Sequence, residues 1–278
     1  MKNADLHAHS YYSDGQTSPK ELVRLAKKRG IKHLALTDHN SVKGVSEATE
    51  EGKKIGVNVI PAVEVRVNCG EILGYFIDIK NKELIEELNK INKRVQEKIR
   101  FRCEQLTKAG FIVSYKEFEK KFPKAKGNYN EFHPLYTLYL KGYGTTMGLR
   151  NKFKKINLKD KKIKVTSATR AIRLIKKAGG VPVLAHPWLD EKALPSIKKM
   201  VRAGLKGIEL NNGDRAPFRH PKWTKKIKSA AKKYKLILTS GSDYHGEDIV
   251  KLMPGNHNLG KNNCDEKIVE KLRASLNH

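Results

Sequence analysis

From residue 3 to about residue 80, short apolar runs alternate with amphipathic segments, and the same rhythm returns from residue 167 to the end. The first stretch reads Ala4 to His9 as strand, Pro19 to Arg29 as helix, Ile31 to Thr37 as strand, Val42 to Ile55 as helix and Val57 to Val65 as strand. Ser18 followed by Pro19 is an N-cap and first-turn signature, and Gly30 and Gly56 stand where helices stop. A further strand is expected over Glu71 to Ile79, followed by a long charged helix from about Lys82 to Ala109. After residue 167 the pattern gives helices at Ser167–Ala178, Ala193–Ala203, Lys222–Tyr234 and Glu266–Leu276, with strands at Val181–Ala185, Gly207–Leu210 and Leu236–Ser240. Such order demands a parallel sheet or a barrel. Residues 87–165 lack it and read as an inserted, mainly helical subdomain, leaving 1–86 and 166–278 as the α/β body.

The titratable residues follow that map. His7 and His9 sit at i, i+2 in a strand and share a face. His39, Glu64, His186 and Asp243 each fall at the carboxyl end of an expected strand, and Asp14 and His245 flank this set. In a (β/α) barrel those ends meet at one mouth. Imidazole with carboxylate is the donor set of hydrolytic Zn, Mn and Fe centres, and such residues buried without an ion would cost several kcal/mol. Asp38 is expected to orient its neighbour, and Glu209 either supports the donors or is a surface charge. His33, of opposite parity to His39, and His220 are expected to have structural or surface roles, and His257 and His278 none.

Charge narrows the partners. Against 57 Lys and Arg stand 29 Asp and Glu, a formal net charge of +28. The excess favours phosphate-rich ligands. Between Lys141 and Lys177 thirteen basic residues face one acid, Asp160, and Lys222–Lys235 adds seven lysines with none. The second run has the spacing of a solvated helix face. Aromatics Tyr129, Phe132, Tyr136, Tyr139 and Tyr143 read as subdomain core before base-stacking platforms. Cys69, Cys103 and Cys264 are odd in number and form no Cys-x-x-Cys, which argues against disulfides and zinc ribbons and for a reducing, cytoplasmic setting. Nothing resembles a signal peptide or the ~18 apolar residues of a membrane span.

Six motifs in order carry a resemblance: Asp-Leu-His-Ala-His-Ser-Tyr-Tyr-Ser-Asp-Gly (5–15), Leu-Thr-Asp-His-Asn (36–40), Ile-Pro-Ala-Val-Glu-Val (60–65), Ala-Gly-Gly-Val-Pro-Val-Leu-Ala-His-Pro (178–187), Gly-Ile-Glu-Leu (207–210) and Ser-Gly-Ser-Asp-Tyr-His-Gly (240–246). The chain resembles the PHP (polymerase and histidinol phosphatase) phosphoesterases, and most of all their short branch of nucleotide phosphatases and a 5′-to-3′ exoribonuclease.

That resemblance implies a distorted, TIM-like (β/α)7 barrel with two or three divalent ions, Mn, Fe or Zn. One ion would be held by His7, His9, Glu64 and Asp243, a second by Glu64 with His186, and a third by Asp14, His39 and His245. Where the family usually has histidine before Leu-Gly-Tyr this chain has Glu71, which either ligates as a carboxylate or leaves the second site weak. His133 matches a family histidine that faces the site, and Arg150 and Asn211 are expected beside substrate. Clustered ions would activate water and neutralise phosphoryl oxygens, with His39, His133 and His245 as candidates to protonate the leaving oxygen. The expected substrate is a nucleotide or a 5′-phosphorylated nucleic-acid end. A small-metabolite phosphatase and a nucleic-acid-binding module with a degenerate or structural metal centre stand as alternatives. No membrane partner is expected, and the sequence does not set an oligomeric state.

Overall fold

The structure is a computed structural model that describes residues 2–155, 163, 165–212, 221–252 and 257–277. Strand β1 (Lys2–Ala8), helix α1 (Pro19–Lys28), β2 (His33–Leu36), α2 (Val45–Ile55), β3 (Asn58–Val67) and β4 (Gly70–Tyr75) come first. Four helices follow: α3 (Lys82–Lys108), α4 (Tyr115–Lys121), α5 (Phe132–Leu140) and α6 (Thr146–Lys155). The alternation resumes with α7 (Ala168–Lys177), β5 (Val181–Leu184), α8 (Ala193–Ala203), β6 (Gly207–Asn212), α9 (Pro221–Tyr234) and β7 (Ile237–Gly241). The last elements are α10 (Glu247–Leu252), the two-residue β8 (Cys264–Asp265) and α11 (Glu266–Ala274).

Local chemistry sets the helix ends. The Ser18 hydroxyl accepts from Glu21 N at 3.1 Å while the Glu21 carboxylate accepts from Ser18 N at 2.8 Å, a reciprocal cap with Pro19 in the first turn of α1. Gly56 ends α2 in the left-handed region at φ 74°, which a side chain would resist.

The strands order as β7-β6-β5-β4-β3-β2-β1-β8. Pairing is parallel throughout except at β4, antiparallel to both β3 and β5, and at β8, antiparallel to β1. Only Asn68 and Cys69 link β3 to β4, too few residues for a crossover, so the chain turns back as a hairpin. The ring closes where Asp243 N donates to His7 O and His9 N donates to Tyr244 O, both at 2.8 Å. A Cβ on Gly241 would lie 2.4 Å from the His7 Cβ, so glycine is what lets β7 approach β1. At the opposite end the short β8 pairs with β1 at Lys2 and Ala4. The expected seven-stranded distorted barrel is thus present as β1–β7, with β8 a short eighth strand.

On the same face of β3 and β4 as Glu64 and Glu71, the residues Ile60, Ala62, Leu73 and Tyr75 join Ala35, Val181 and Val183 in a buried apolar cluster, the floor beneath the polar residues. The other face packs outward: Val63, Val65 and Ile72 share one continuous cluster with Leu88, Ile91, Val95 and Ile99 of α3 and with Tyr115, Phe118 and Tyr129. Helices α3–α6 therefore share a core with the barrel, and α3 itself starts at Lys82, ahead of residue 87.

Candidate metal centre

Nine histidine and carboxylate positions arrive at the mouth by distinct routes. His7 is the penultimate residue of β1 and His9 directly follows the strand. His39 lies three residues past β2, His186 two residues past β5, and Asp243 and His245 just past β7. Glu64 was expected at a strand end but sits three residues inside β3, because that strand runs on to Val67 to form the hairpin. Glu71 reaches the same rim from the opposite direction, as the second residue of the antiparallel β4. Asp14 comes from the turn after β1, which Asp38 ties down: its carboxylate accepts from Ser10 N and Ser10 Oγ at 2.7 Å and from Ser13 Oγ at 2.8 Å. Asp38 thus organises the Asp14 turn instead of the adjacent imidazole. Two non-glycine residues at this rim, Asn40 (φ 46°) and Asp243 (φ 54°), hold left-handed backbone, a strain that concentrates at functional sites.

The donors interlock. His7 Nε2 lies 3.2 Å from Glu64 Oε2 and 3.5 Å from Asp243 Oδ1, and His9 Nε2 lies 3.1 Å from the same Asp243 oxygen. His186 Nε2 is 2.8 Å from Glu64 Oε1 and 3.5 Å from Glu71 Oε2. His39 Nδ1 is 3.0 Å from Glu64 Oε2 and 3.5 Å from Glu71 Oε1, and Asp14 lies 3.6 Å from His39 Nε2 and 3.4 Å from His245 Nε2. Four overlapping groups, each with donor atoms within 4.8 Å of one another, follow: His9, Asp14, His39, His245; His7, His9, Asp243; His7, Glu64, His186; and His39, Glu64, Glu71.

Burial makes this arrangement costly without a cation. His9 Nδ1, Asp14 Oδ1, His39 Nδ1, Glu64 Oε2 and Glu71 Oε1 are buried with no hydrogen bond of normal geometry. Burial alone would raise the Asp14, Glu64 and Asp243 carboxyls, but the surrounding imidazoles outweigh it and hold all three well below the usual carboxylate range. Burial presses the imidazoles down; Glu64 and its fellow carboxylates nonetheless hold His186 up to about 9, and Asp14 and Asp243 hold His245 up to about 9. His9, desolvated and beside His245, is pushed down to about 3. Anionic carboxylates sharing protons with crowded imidazoles are the donor chemistry of a divalent cluster, in which the ion replaces those protons. The residues fit the group.

A supporting layer orients them. Glu209, buried, sets Oε1 3.0 Å from His7 Nδ1 and accepts from His186 N through Oε2 at 2.8 Å, the carboxylate–imidazole pairing expected behind a metal ligand. Asp5 accepts from Ser242 N and Gly260 N, fixing the loop that presents Asp243. His257, expected to have no role, is fully buried, with Nδ1 3.1 Å from Ser242 O and 3.9 Å from Asp243 Oδ2. Only its neighbours in space reveal it.

Over the donors opens a cavity of about 640 Å³, lined also by Arg66, Arg102, Asn130, Phe132 and Phe153. Arg66 and Arg102 were not singled out in the sequence. The signal was there for Arg66: it lies two residues after Glu64, on the same face of β3, directly opposite Glu71, with Nε 3.5 Å from Glu71 Oε1. His133 does not line this cavity. It is 1% exposed, its ring enclosed by Phe122, Tyr129 and Phe132, and its Nδ1 accepts from Asn130 N at 3.0 Å. Its route to the donors is Asn130, whose Nδ2 donates to Asp14 at 2.6 Å. Tyr129 is core, as expected of these aromatics, whereas Phe132 faces the cavity. Arg150 belongs to α6 and Asn211 to β6, paired with Ser240, but their side chains lie outside the described residues, as do His220, Asp160 and His278. His33 contacts Asn58 and Glu266, away from the mouth.

Among the described residues no helix is long and apolar enough to cross a membrane. Over 253 residues the chain is 30% identical to the phosphoribosyl 1,2-cyclic phosphate 1,2-diphosphodiesterase of Eggerthella lenta, covering 87% of this chain and 94% of that protein. Over 257 residues it is 29% identical to the 5′-3′ exoribonuclease of Haemophilus influenzae, covering 88% and 90%. A solved amidohydrolase structure from Chromobacterium violaceum, with bound sulfate and no metal, superposes with a TM-score of 0.82 at 27% identity over 98% of this chain and 96% of that one. The PHP domain profile matches residues 5–180, which carry all of the mouth donors except His186, Asp243 and His245. With its fold, donor cluster and relatives in agreement, this chain belongs to the PHP domain family.

Proposed function

We propose that the chain is a metal-dependent phosphoesterase that hydrolyses phosphate esters of nucleotides or 5′-phosphorylated RNA ends. The observation that carries this reading is the cavity itself, with buried histidine and carboxylate donors on its floor and two arginines and two phenylalanines on its walls. His7, His9 and Asp243 would hold one ion, Glu64, His186 and Glu71 a second, and Asp14, His39 and His245 a third. Mn, Fe and Zn all suit this mixed donor set. When bound, such ions supply Lewis acidity toward phosphoryl oxygens and acidify water near neutral pH.

The chain's own residues supply the rest. Arg66 and Arg102 place positive charge where the non-bridging oxygens of a phosphate would sit, and Phe132 and Phe153 offer faces to a base or sugar. His39 and His245 both line the cavity, so either can pass a proton to the leaving oxygen while it is not holding the third ion; His133, enclosed by aromatics, acts through Asn130 and the position of Asp14. Arg150 belongs beside substrate on the strength of Asn151 and Phe153, its cavity-lining neighbours in α6, and Asn211 on that of its place beside the end of β7. Residues 87–165 act as an inserted unit that walls the mouth, and three free, buried cysteines suit a reducing cytoplasm.

The Eggerthella relative favours a second reading, a small cyclic or metabolite phosphate as substrate. Rate against chain length separates the two. Mn-loaded protein is incubated with 5′-phosphorylated short RNA, its 5′-hydroxyl twin and a small phosphate ester, with His7→Ala/His9→Ala as control. Mononucleotide release that needs both the 5′ phosphate and the histidines is expected; turnover of the small ester alone would replace the RNA reading with the metabolite one.

A further inference from the structure

The groove between α8 and α9 lies outside the metal mouth but begins at its edge. Leu189 lines the mouth cavity, and Glu191, Leu194 and Pro195, two to six residues further on, line a groove of about 700 Å³ whose far wall is α9. That wall carries Trp223 and Tyr234, eleven positions apart, which puts them on one face and about 16 Å apart along the helix axis. Lys222, Lys226 and Lys233, at i, i+4 and i+11, form the stripe next to these rings and, with Lys225, line the groove as well. Among the described residues Glu191 is the one acid that lines it.

An ordinary solvated helix face would send its lysine heads to water. Here the Lys226 ammonium lies over the Trp223 ring at 5.0 Å from its centroid, and Lys233 over Tyr234 at 5.4 Å. Both rings are half-buried, packed on the core by one side and open to the groove by the other. Flat aromatic faces interleaved with cations, without acids on the helix that bears them, match single-stranded nucleic acid: bases stack on the rings and the displaced ammonium groups take the phosphates.

We infer that the α8–α9 groove is a binding track for the single strand that trails from a phosphorylated end held in the metal mouth, with Trp223 and Tyr234 stacking bases and Lys222, Lys226 and Lys233 holding phosphates. The inference rests on the RNA reading of the mouth. It makes affinity a function of strand length. A trinucleotide is held by the mouth alone, whereas a 12-mer also engages the groove.

The test is steady-state hydrolysis of 5′-phosphorylated oligouridylates of 3 and 12 nucleotides by Mn-loaded enzyme, wild type against Lys222→Glu/Lys226→Glu/Lys233→Glu. The 12-mer KM should rise at least tenfold with kcat unchanged, the 3-mer KM should move less than twofold, and the salt slope for the 12-mer should fall by about 2, as loss of three phosphate contacts on a single strand predicts. Equal shifts at both lengths, or none at either, overturn the track. A melting curve checks the fold of the variant, whose three changes fall on exposed side chains. A second measurement does not depend on turnover: the 12-mer should quench the fluorescence that Trp223→Phe removes. Quenching without RNA hydrolysis would keep the track and sink the exoribonuclease reading, and absence of quenching sinks the track itself.

Discussion

Strand β1 serves both ends of the barrel, and the two ends are built on opposite principles. At the foot, Lys2 and Ala4 pair with β8, and Ala4 and Leu6 pack with Val269 and Leu272 of α11 in an apolar cluster. Three residues later, at the mouth, the same strand delivers His7 against Asp243 and Glu64, with donors spaced at 3–4 Å and left-handed backbone at Asp243. The foot is stabilised by burial of hydrocarbon. The mouth spends stability on charged groups that satisfy one another only in part, and that difference separates folding from chemistry along a single strand.

The largest effect should come from Glu64→Gln. Glu64 is fully buried, and its carboxylate meets His7, His39 and His186. The amide keeps the shape and removes the charge, so phosphoesterase kcat/KM should fall about a thousandfold or more, some 4 kcal/mol of transition-state stabilisation, with a smaller loss of stability in the metal-free protein, because the imidazoles that hold the Glu64 carboxyl down lose their partner. A variant that loses stability as heavily as activity would erase the contrast between mouth and foot. The reciprocal change is Leu272→Ala, a fully buried side chain at the foot. Urea unfolding should show a loss of about 2–4 kcal/mol, with kcat per folded molecule within twofold of wild type.

Beside the mouth, on α5, stands His133, a polar residue enclosed by the rings of Phe122, Tyr129 and Phe132. Burial holds its imidazole down, to about 4, against an ordinary value near ~6.5. In that window the unfolded chain carries a proton that the folded one refuses. Stability is therefore intact above the unfolded value and falls as pH drops through the window, by at most about 3 kcal/mol once the folded value is reached. Urea midpoints in EDTA at pH 7.5 and 5, for wild type and His133→Gln, isolate the contribution; parallel pH slopes in the two proteins would assign the acid sensitivity to other groups.

The same contrast explains what the sequence reveals. Strand and helix order was legible because period, caps and glycine stops are local, as at Ser18–Pro19 and Gly56. The hairpin was not legible, because the apolar pattern leaves five residues between Val65 and Glu71 where the structure has a link of two: it moves Glu64 inside its strand and makes the amino end of β4 a mouth position, bringing Glu71 to His39 and His186. Arg66 follows from Glu64 by alternation alone once the face of β3 is known. His257 and Arg102 were beyond reach, since residues distant in sequence decide what they touch. His133 shows the converse limit, because a match to a site motif says nothing about the aromatic rings that enclose the side chain.

The smallest of these effects is the most diagnostic of how mouth and barrel wall are joined. Glu209 stands on β6 and touches two donors at once, the His7 ring through one oxygen and the His186 amide through the other. Glu209→Gln can keep the acceptor to His186 N but weakens the pairing at His7 Nδ1, which fixes the ring so that its other nitrogen meets Glu64 and Asp243. Metal affinity should then drop ten- to a hundredfold. At saturating metal, kcat should recover most of its wild-type value, because Glu209 acts through His7 and does not touch substrate. Isothermal titration with Mn, paired with kcat at saturating metal, reads both quantities. A kcat that stays low under saturating metal would place Glu209 in the chemistry itself, and would move the boundary between wall and mouth one layer deeper into the barrel.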